Sequence, residues 1–168
     1  GKPVVYNDLI YENSNYFRAG YCSFNRVIFN YTPDYNYECV GCKIDTLVFN
    51  KGMVSNGPVS DTINVFISKV NGVLSGKNKI GKALLFDNAQ INGNNTFDSL
   101  EIAAGCYVTL QSGFTQVINQ GLKIDGSCSN IITLESSLYG TQATLQKSGS
   151  SVSAGFVKSE EHTSELQS

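Results

Sequence analysis

The chain has 168 residues, 41% of them hydrophobic and 15% charged, with a formal net charge of −2. That length suits a single domain, and the charged fraction falls below the quarter or so typical of globular surfaces. No cationic excess of the kind a nucleic-acid partner needs is present, and no run of about 18 apolar residues offers a transmembrane helix.

Taken in chain order, the predicted elements repeat. A six-residue signature, apolar at its first, fourth and sixth places, occurs at Tyr6-Leu9-Tyr11, Phe24-Val27-Phe29, Ile44-Leu47-Phe49, Thr62-Val65-Ile67, Ile80-Ala83-Leu85 and Phe97-Leu100-Ile102. Its starts lie 18, 20, 18, 18 and 17 residues apart. A shorter strand-like run closing on glycine follows in most units, as in Tyr16 to Gly20, Met53 to Gly57, Val73 to Gly76, Ala89 to Gly93 and Val108 to Gly113. Self-similarity at such a period means a solenoid. The runs are short, rich in Val, Ile, Phe, Leu and Thr, and broken by Gly, Asn, Asp and Ser, which is strand and turn chemistry. The strict six-residue period of a left-handed hexapeptide helix is absent: six and twelve places after Phe24 stand Asn30 and Asn36. The expectation is an all-β, right-handed parallel β-helix of about 18 residues per coil, the hand that parallel crossovers prefer.

The five cysteines are Cys22, Cys39, Cys42, Cys106 and Cys128. Cys22 and Cys42 stand two before Phe24 and Ile44, so they stack about 4.8 Å apart. They either form a disulfide, for which that spacing suffices, or stay as reduced thiols. Cys39-Val40-Gly41-Cys42 has redox or zinc spacing, but no second ligand pair accompanies it, so these cysteines read as structural and no metal or cofactor is expected.

The last ten residues, SEEHTSELQS (Ser159 to Ser168), break the β pattern and resemble the translation of a sequencing-adapter oligonucleotide. The expectation is one β-helix domain over 1–158 and a foreign tail over 159–168. The only histidine, His162, is then set aside as a ligand or catalyst, and without Glu160, Glu161 and Glu165 the net charge becomes +1. Because the pattern is already in register at Tyr6, the domain reads as a segment of a longer protein.

From Asn95 to Lys158 the chain carries NTFDSLEI, then GCYVTLQSGFTQVINQGLKIDGSCSNIITLESS, then YGTQATLQKSGSSVSAGFVK. In these stretches, and most of all in Gly140 to Lys158, it resembles a family of large secreted bacterial surface proteins built on parallel β-helix repeats, often exported with a C-terminal sorting domain. The resemblance implies an extracellular, non-catalytic scaffold acting in adhesion or display. Its implied partners are adjacent domains of the same chain and a surface glycan or protein.

Carbohydrate lyases and hydrolases that share the architecture supply the rival reading, a β-helical enzyme fragment or glycan-binding module. Such sites gather acids and bases on one face around one sugar ring. Threading the repeat places Asp8, Arg26, Thr46, Asn64, Lys82 and Ser99 in one column and Ser23, Lys43, Asp61, Lys79 and Thr96 in another. Neither pairs two carboxylates, and Asp61 between Lys43 and Lys79 is the best catalytic candidate. The fifth place reads Ile10, Ile28, Val48, Phe66 and Leu84 before turning acidic at Glu101. Strand alternation points this place outward, so the five residues form a candidate contact ridge, covered either by the Tyr31, Tyr35 and Tyr37 segment or by a partner.

Overall fold

The structure is a computed structural model that describes residues 5–12, 17–30, 37–50, 53–54, 61–148 and 151–160. Among these residues the chain is all β. Long and short strands alternate as β1 (Val5–Tyr11) and β2 (Phe17–Gly20), β3 (Ser23–Phe29) and β4 (Tyr37–Val40), β5 (Lys43–Phe49) and β6 (Met53–Val54). They continue as β7 (Thr62–Ser68) and β8 (Gly72–Leu74), β9 (Lys79–Leu85) and β10 (Ala89–Ile91), β11 (Thr96–Ile102) and β12 (Tyr107–Leu110). The later part holds β13 (Thr115–Asp125), β14 (Ile132–Ser136), β15 (Thr144–Lys147), β16 (Ser151–Gly155) and β17 (Val157–Glu160).

The long strands stack in the order β1-β3-β5-β7-β9-β11-β13-β15, with β16 also on β13. The short ones form a second sheet, β17-β14-β12-β10-β8-β6, and a separate pair, β2-β4. Every ladder is parallel. The chain is therefore a parallel β-solenoid, as the repeat implied. Segment 37–40, expected as part of an excursion, instead extends as β4 beside β2.

Phe24 lies over Ile44 and Phe97 over Ile80, as the signature predicts. The fourth coil differs by one residue. Ile63, Phe66 and Ser68 stack on Ile44, Leu47 and Phe49, and Thr62 faces solvent. The segment Ile63-Asn64-Val65-Phe66-Ile67 is apolar at both parities, so apolarity alone could not choose the register, and a slip by one residue reverses every side chain. Phe66 is thus an inward residue, 2% exposed, and not a member of the outward ridge.

The core runs along the axis as stacked side chains. Tyr11 stacks on Phe29, and Phe49 stands edge-on to both Phe29 (5.8 Å) and Phe66 (5.1 Å). Ser68 replaces the next ring, and the space passes to the backbone of Gly72, where a Cβ would lie 2.4 Å from the Ser68 hydroxyl and 3.3 Å from the Phe49 ring. Gly93 is equally specific: its φ is +77°, and a Cβ there would meet the Gly76 carbonyl oxygen at 2.1 Å.

One irregularity interrupts the long sheet. Between Phe97/Ile118 and Ser99/Gly121 the register shifts by one residue, a bulge at Asn119-Gln120. Beyond it, β13 pairs β15 with its first half and β16 with its second.

Candidate functional site

Three features gather the chemistry that the described residues offer: an outer column, a cleft at its end, and a buried polar corner.

The outer column is the corrected ridge. Register places Ile10, Ile28, Val48, Ile67 and Leu84 side by side, then Glu101 and Lys123. Its burial is uneven: Ile10 is 50% exposed and Val48 only 7%. The proposed cover over residues 31–36 lies outside the described residues. Polar ties flank the column. Arg26 pairs with Asp8 at 2.6 Å, Asn64 donates to Asp45 at 2.8 Å, and Asn30 and Asn50 extend a ladder that starts at Glu12.

The cleft sits where the column turns charged. About 430 Å³ in volume, it is lined by Lys82, Ser99, Glu101, Gly121, Lys123 and Ser153 among others. Lys123 donates to Glu101 at 2.7 Å, and the ammonium is held charged by that contact, which raises its pKa. The groove is open and carries one tied ion pair with a separate lysine, and its lining holds a single carboxylate, Glu101.

The buried corner overturns the expected place of Asp61. Thr62, not Asp61, lies between Lys43 and Lys79. Asp61 instead occupies the place two before the signature, in register with Cys22, Cys42, Asn78, Asn95 and Gln116, as the hydrogen bonds from Lys43, Thr62, Lys79, Thr96 and Val117 N–H show. It is 5% exposed. Within this column each side-chain oxygen accepts the backbone N–H of the coil before it. Cys42 N–H donates to Asp61 Oδ1 (2.8 Å), Asp61 N–H to Asn78 Oδ1 (3.3 Å), Asn78 N–H to Asn95 Oδ1 (3.0 Å) and Asn95 N–H to Gln116 Oε1 (3.2 Å). The amides add lateral donors: Asn78 to Asn95 (2.9 Å), Asn95 to Gln116 (3.0 Å), and Gln116 to the Gly93 carbonyl (2.6 Å).

Burial pushes the Asp61 carboxyl up to about 6, against the lowering effect of the Cys42 and Gly41 N–H groups. A shifted carboxyl is one mark of an acid–base site, but this one is enclosed and holds backbone. Beside it the Cys42 thiol is drawn down to about 7, chiefly by a hydrogen bond from Cys39. None of the five cysteines is in a disulfide. Cys22 directs its thiol to the Gly20 carbonyl at 3.3 Å, so the stacked Cys22 and Cys42 are not bonded to each other.

Sequence reasoning missed this column because its members differ chemically. The signal was positional: with the fourth coil corrected, each stands two residues before an inward Phe or Ile. Among the described residues no cluster of three or more His, Cys, Asp or Glu could hold a metal ion, and no helix is long and apolar enough to cross a membrane. His162 lies outside the described residues, as do Glu161 to Ser168, whereas Ser159 and Glu160 close β17 against β14. Compared with protein-family models, curated proteins and solved structures, the chain has no significant match.

Proposed function

We propose that the chain is a non-catalytic scaffold segment of a secreted or cell-surface bacterial protein, one that spaces adjacent domains and presents its outer sheet for adhesion. The observation that supports it most is the position of Asp61. The best acid–base candidate in the sequence is buried and holds the backbone of the preceding coil, so its chemistry serves stacking. The outer column, through the exposed Ile10 and the partly buried Ile28, Ile67 and Leu84, is the proposed contact surface, for a protein or for an adjacent domain.

A glycan-binding module is the second reading, favoured by the cleft lined by Lys82, Glu101 and Lys123, which offers ammonium and hydroxyl groups to a sugar acid or polyol. Incubation with acidic and neutral polysaccharides separates these readings from a carbohydrate-active enzyme. The scaffold reading expects no new reducing or unsaturated ends and no retention on glycan surfaces. Retention lost in Lys82→Ala would support the module. Cleavage abolished by Asp61→Asn would overturn both.

A further inference from the structure

The corner between β4 and β5 holds a pair of sulfurs that the scaffold reading leaves unused. Cys39 ends buried in β4 and Cys42 precedes β5, 2% and 1% exposed respectively. Between them Gly41 takes a left-handed φ of +65°, and a Cβ there would press on the Tyr21 ring at 3.1 Å. That turn folds the two thiols together, so that the Cys39 S–H donates to the Cys42 sulfur. Cys42 also accepts the backbone N–H of Cys22, while its own N–H is fixed on Asp61 Oδ1. The Cys22 thiol donates to the Gly20 carbonyl at 3.3 Å, as the Cys42 thiol does to that of Val40 at 4.0 Å, but three residues before Cys22 stands Ala19, which offers it no second thiol.

We propose that Cys39 and Cys42 are a dithiol–disulfide couple, modified by low-molecular-weight disulfides of the glutathione class, and that Cys22 stands outside it. Cys42 is the attacking sulfur, because its contacts with Cys39 and with the Cys22 N–H favour the thiolate over the burial and the Asp61 charge that oppose it, and nucleophilic thiols react in that form. The Cys42 thiolate attacks one sulfur of the external disulfide, whose S–S bond breaks and releases one thiolate. Cys39 then loses its proton and attacks the Cys42 sulfur, expelling the second thiolate. The protein gives up two electrons and two protons, and the external disulfide becomes two thiols. Since both sulfurs are buried, exchange requires the corner to open, which makes the reaction slow in the native protein. Closing a four-residue loop removes less unfolded-chain entropy than closing a long one, so the gain in stability lies at the low end for a disulfide. This inference does not rest on the scaffold reading.

The test uses the full chain carrying Cys128→Ser, which removes the exposed thiol. It is equilibrated in native buffer at mildly alkaline pH with graded ratios of oxidised to reduced glutathione, quenched in acid, alkylated and mapped by mass spectrometry. The expected product is a bond between Cys39 and Cys42, with Cys22 and the buried Cys106 still alkylated and the circular dichroism unchanged. Cys39→Ser should arrest at a glutathione adduct on Cys42, and Cys42→Ser should give at least tenfold less adduct on Cys39. A Cys22–Cys42 bond would overturn the proposal. So would full alkylation of Cys39 and Cys42 at equilibrium in excess oxidised glutathione, a result read on the parent chain and independent of whether either variant folds.

Discussion

The corner column that runs beside the long strands is sulfur and carboxylate in its first half and carboxamide in its second. Cys22, Cys42 and Asp61 give way to Asn78, Asn95 and Gln116, yet the backbone hydrogen bonds continue without a break from Lys43 to Val117. The amide half donates and accepts at every step, so each buried N–H and carbonyl oxygen is met by a neutral group. In the other half Asp61 accepts from Cys42 but has no proton to pass to Asn78 when ionised. The same geometry is thus held in one half by a neutral ladder and in the other by groups that titrate and oxidise. Stacking alone asks only for an acceptor at this place; anything more reactive comes at the expense of burying it.

Breaking the amide half should have the largest effect. In Asn95→Ala the buried Asn78 N–H and side-chain amide both lose their acceptor, and at about 1–3 kcal/mol per unsatisfied group the loss should be about 3 kcal/mol, read by denaturant unfolding. Changing the carboxylate half should move stability the other way. Asp61→Asn keeps the acceptor for Cys42, removes a buried charge and supplies a donor toward Asn78, and should stabilise the chain at pH 7 by about 2 kcal/mol.

The pH dependence sharpens this further. Folding raises the Asp61 pKa from 3.8 to about 6, so between those values the folded chain holds a proton that the unfolded chain has lost. The contribution of that proton is whole below about pH 4 and is lost as pH rises through about 6. The stability difference between Asp61→Asn and the parent should therefore widen from pH 4 to pH 6 and stay constant above, with a parallel pair of profiles refuting the assignment.

Smaller effects come from outside the corner. Val48→Ser should destabilise by about 2 kcal/mol, since Val48 is nearly enclosed, whereas Ile67→Ser, at a partly buried place in the same column, should change stability less and instead weaken any association that the column supports. The smallest change is expected for Arg26→Ala, whose ion pair with Asp8 is exposed and worth roughly 0–1 kcal/mol; a larger loss would mean that the outer charges do more than decorate the sheet.

The period, the parallel stacking and the inward places of five coils were legible because large apolar residues fall at fixed offsets with polar ones between them. The fourth coil was not, since Ile63, Val65, Phe66 and Ile67 satisfy two registers and only the polar side of the coil separates them. Asp61 hydrogen-bonds the Cys42 N–H, and this contact sets the register that hydrophobicity left open. The same one-residue ambiguity put Phe66 on the outer column and Asp61 between two lysines. The cysteines could be counted and stacked from sequence, but the contact between Cys39 and Cys42 across the left-handed turn at Gly41 is a tertiary fact.

Because every ladder is parallel and coils touch mainly their neighbours, the hydrogen bonds that join them point along the axis of the stack. A pull applied at the two ends would open those bonds one after another, so the chain would yield coil by coil at a modest, repeating force. Each coil occupies about 4.8 Å of axis while stacked and about 60 Å once drawn out. Each coil released would add about 55 Å to a stalk built this way, roughly a twelvefold extension of that coil's own length, so the stack would act as a shock absorber for whatever it carries.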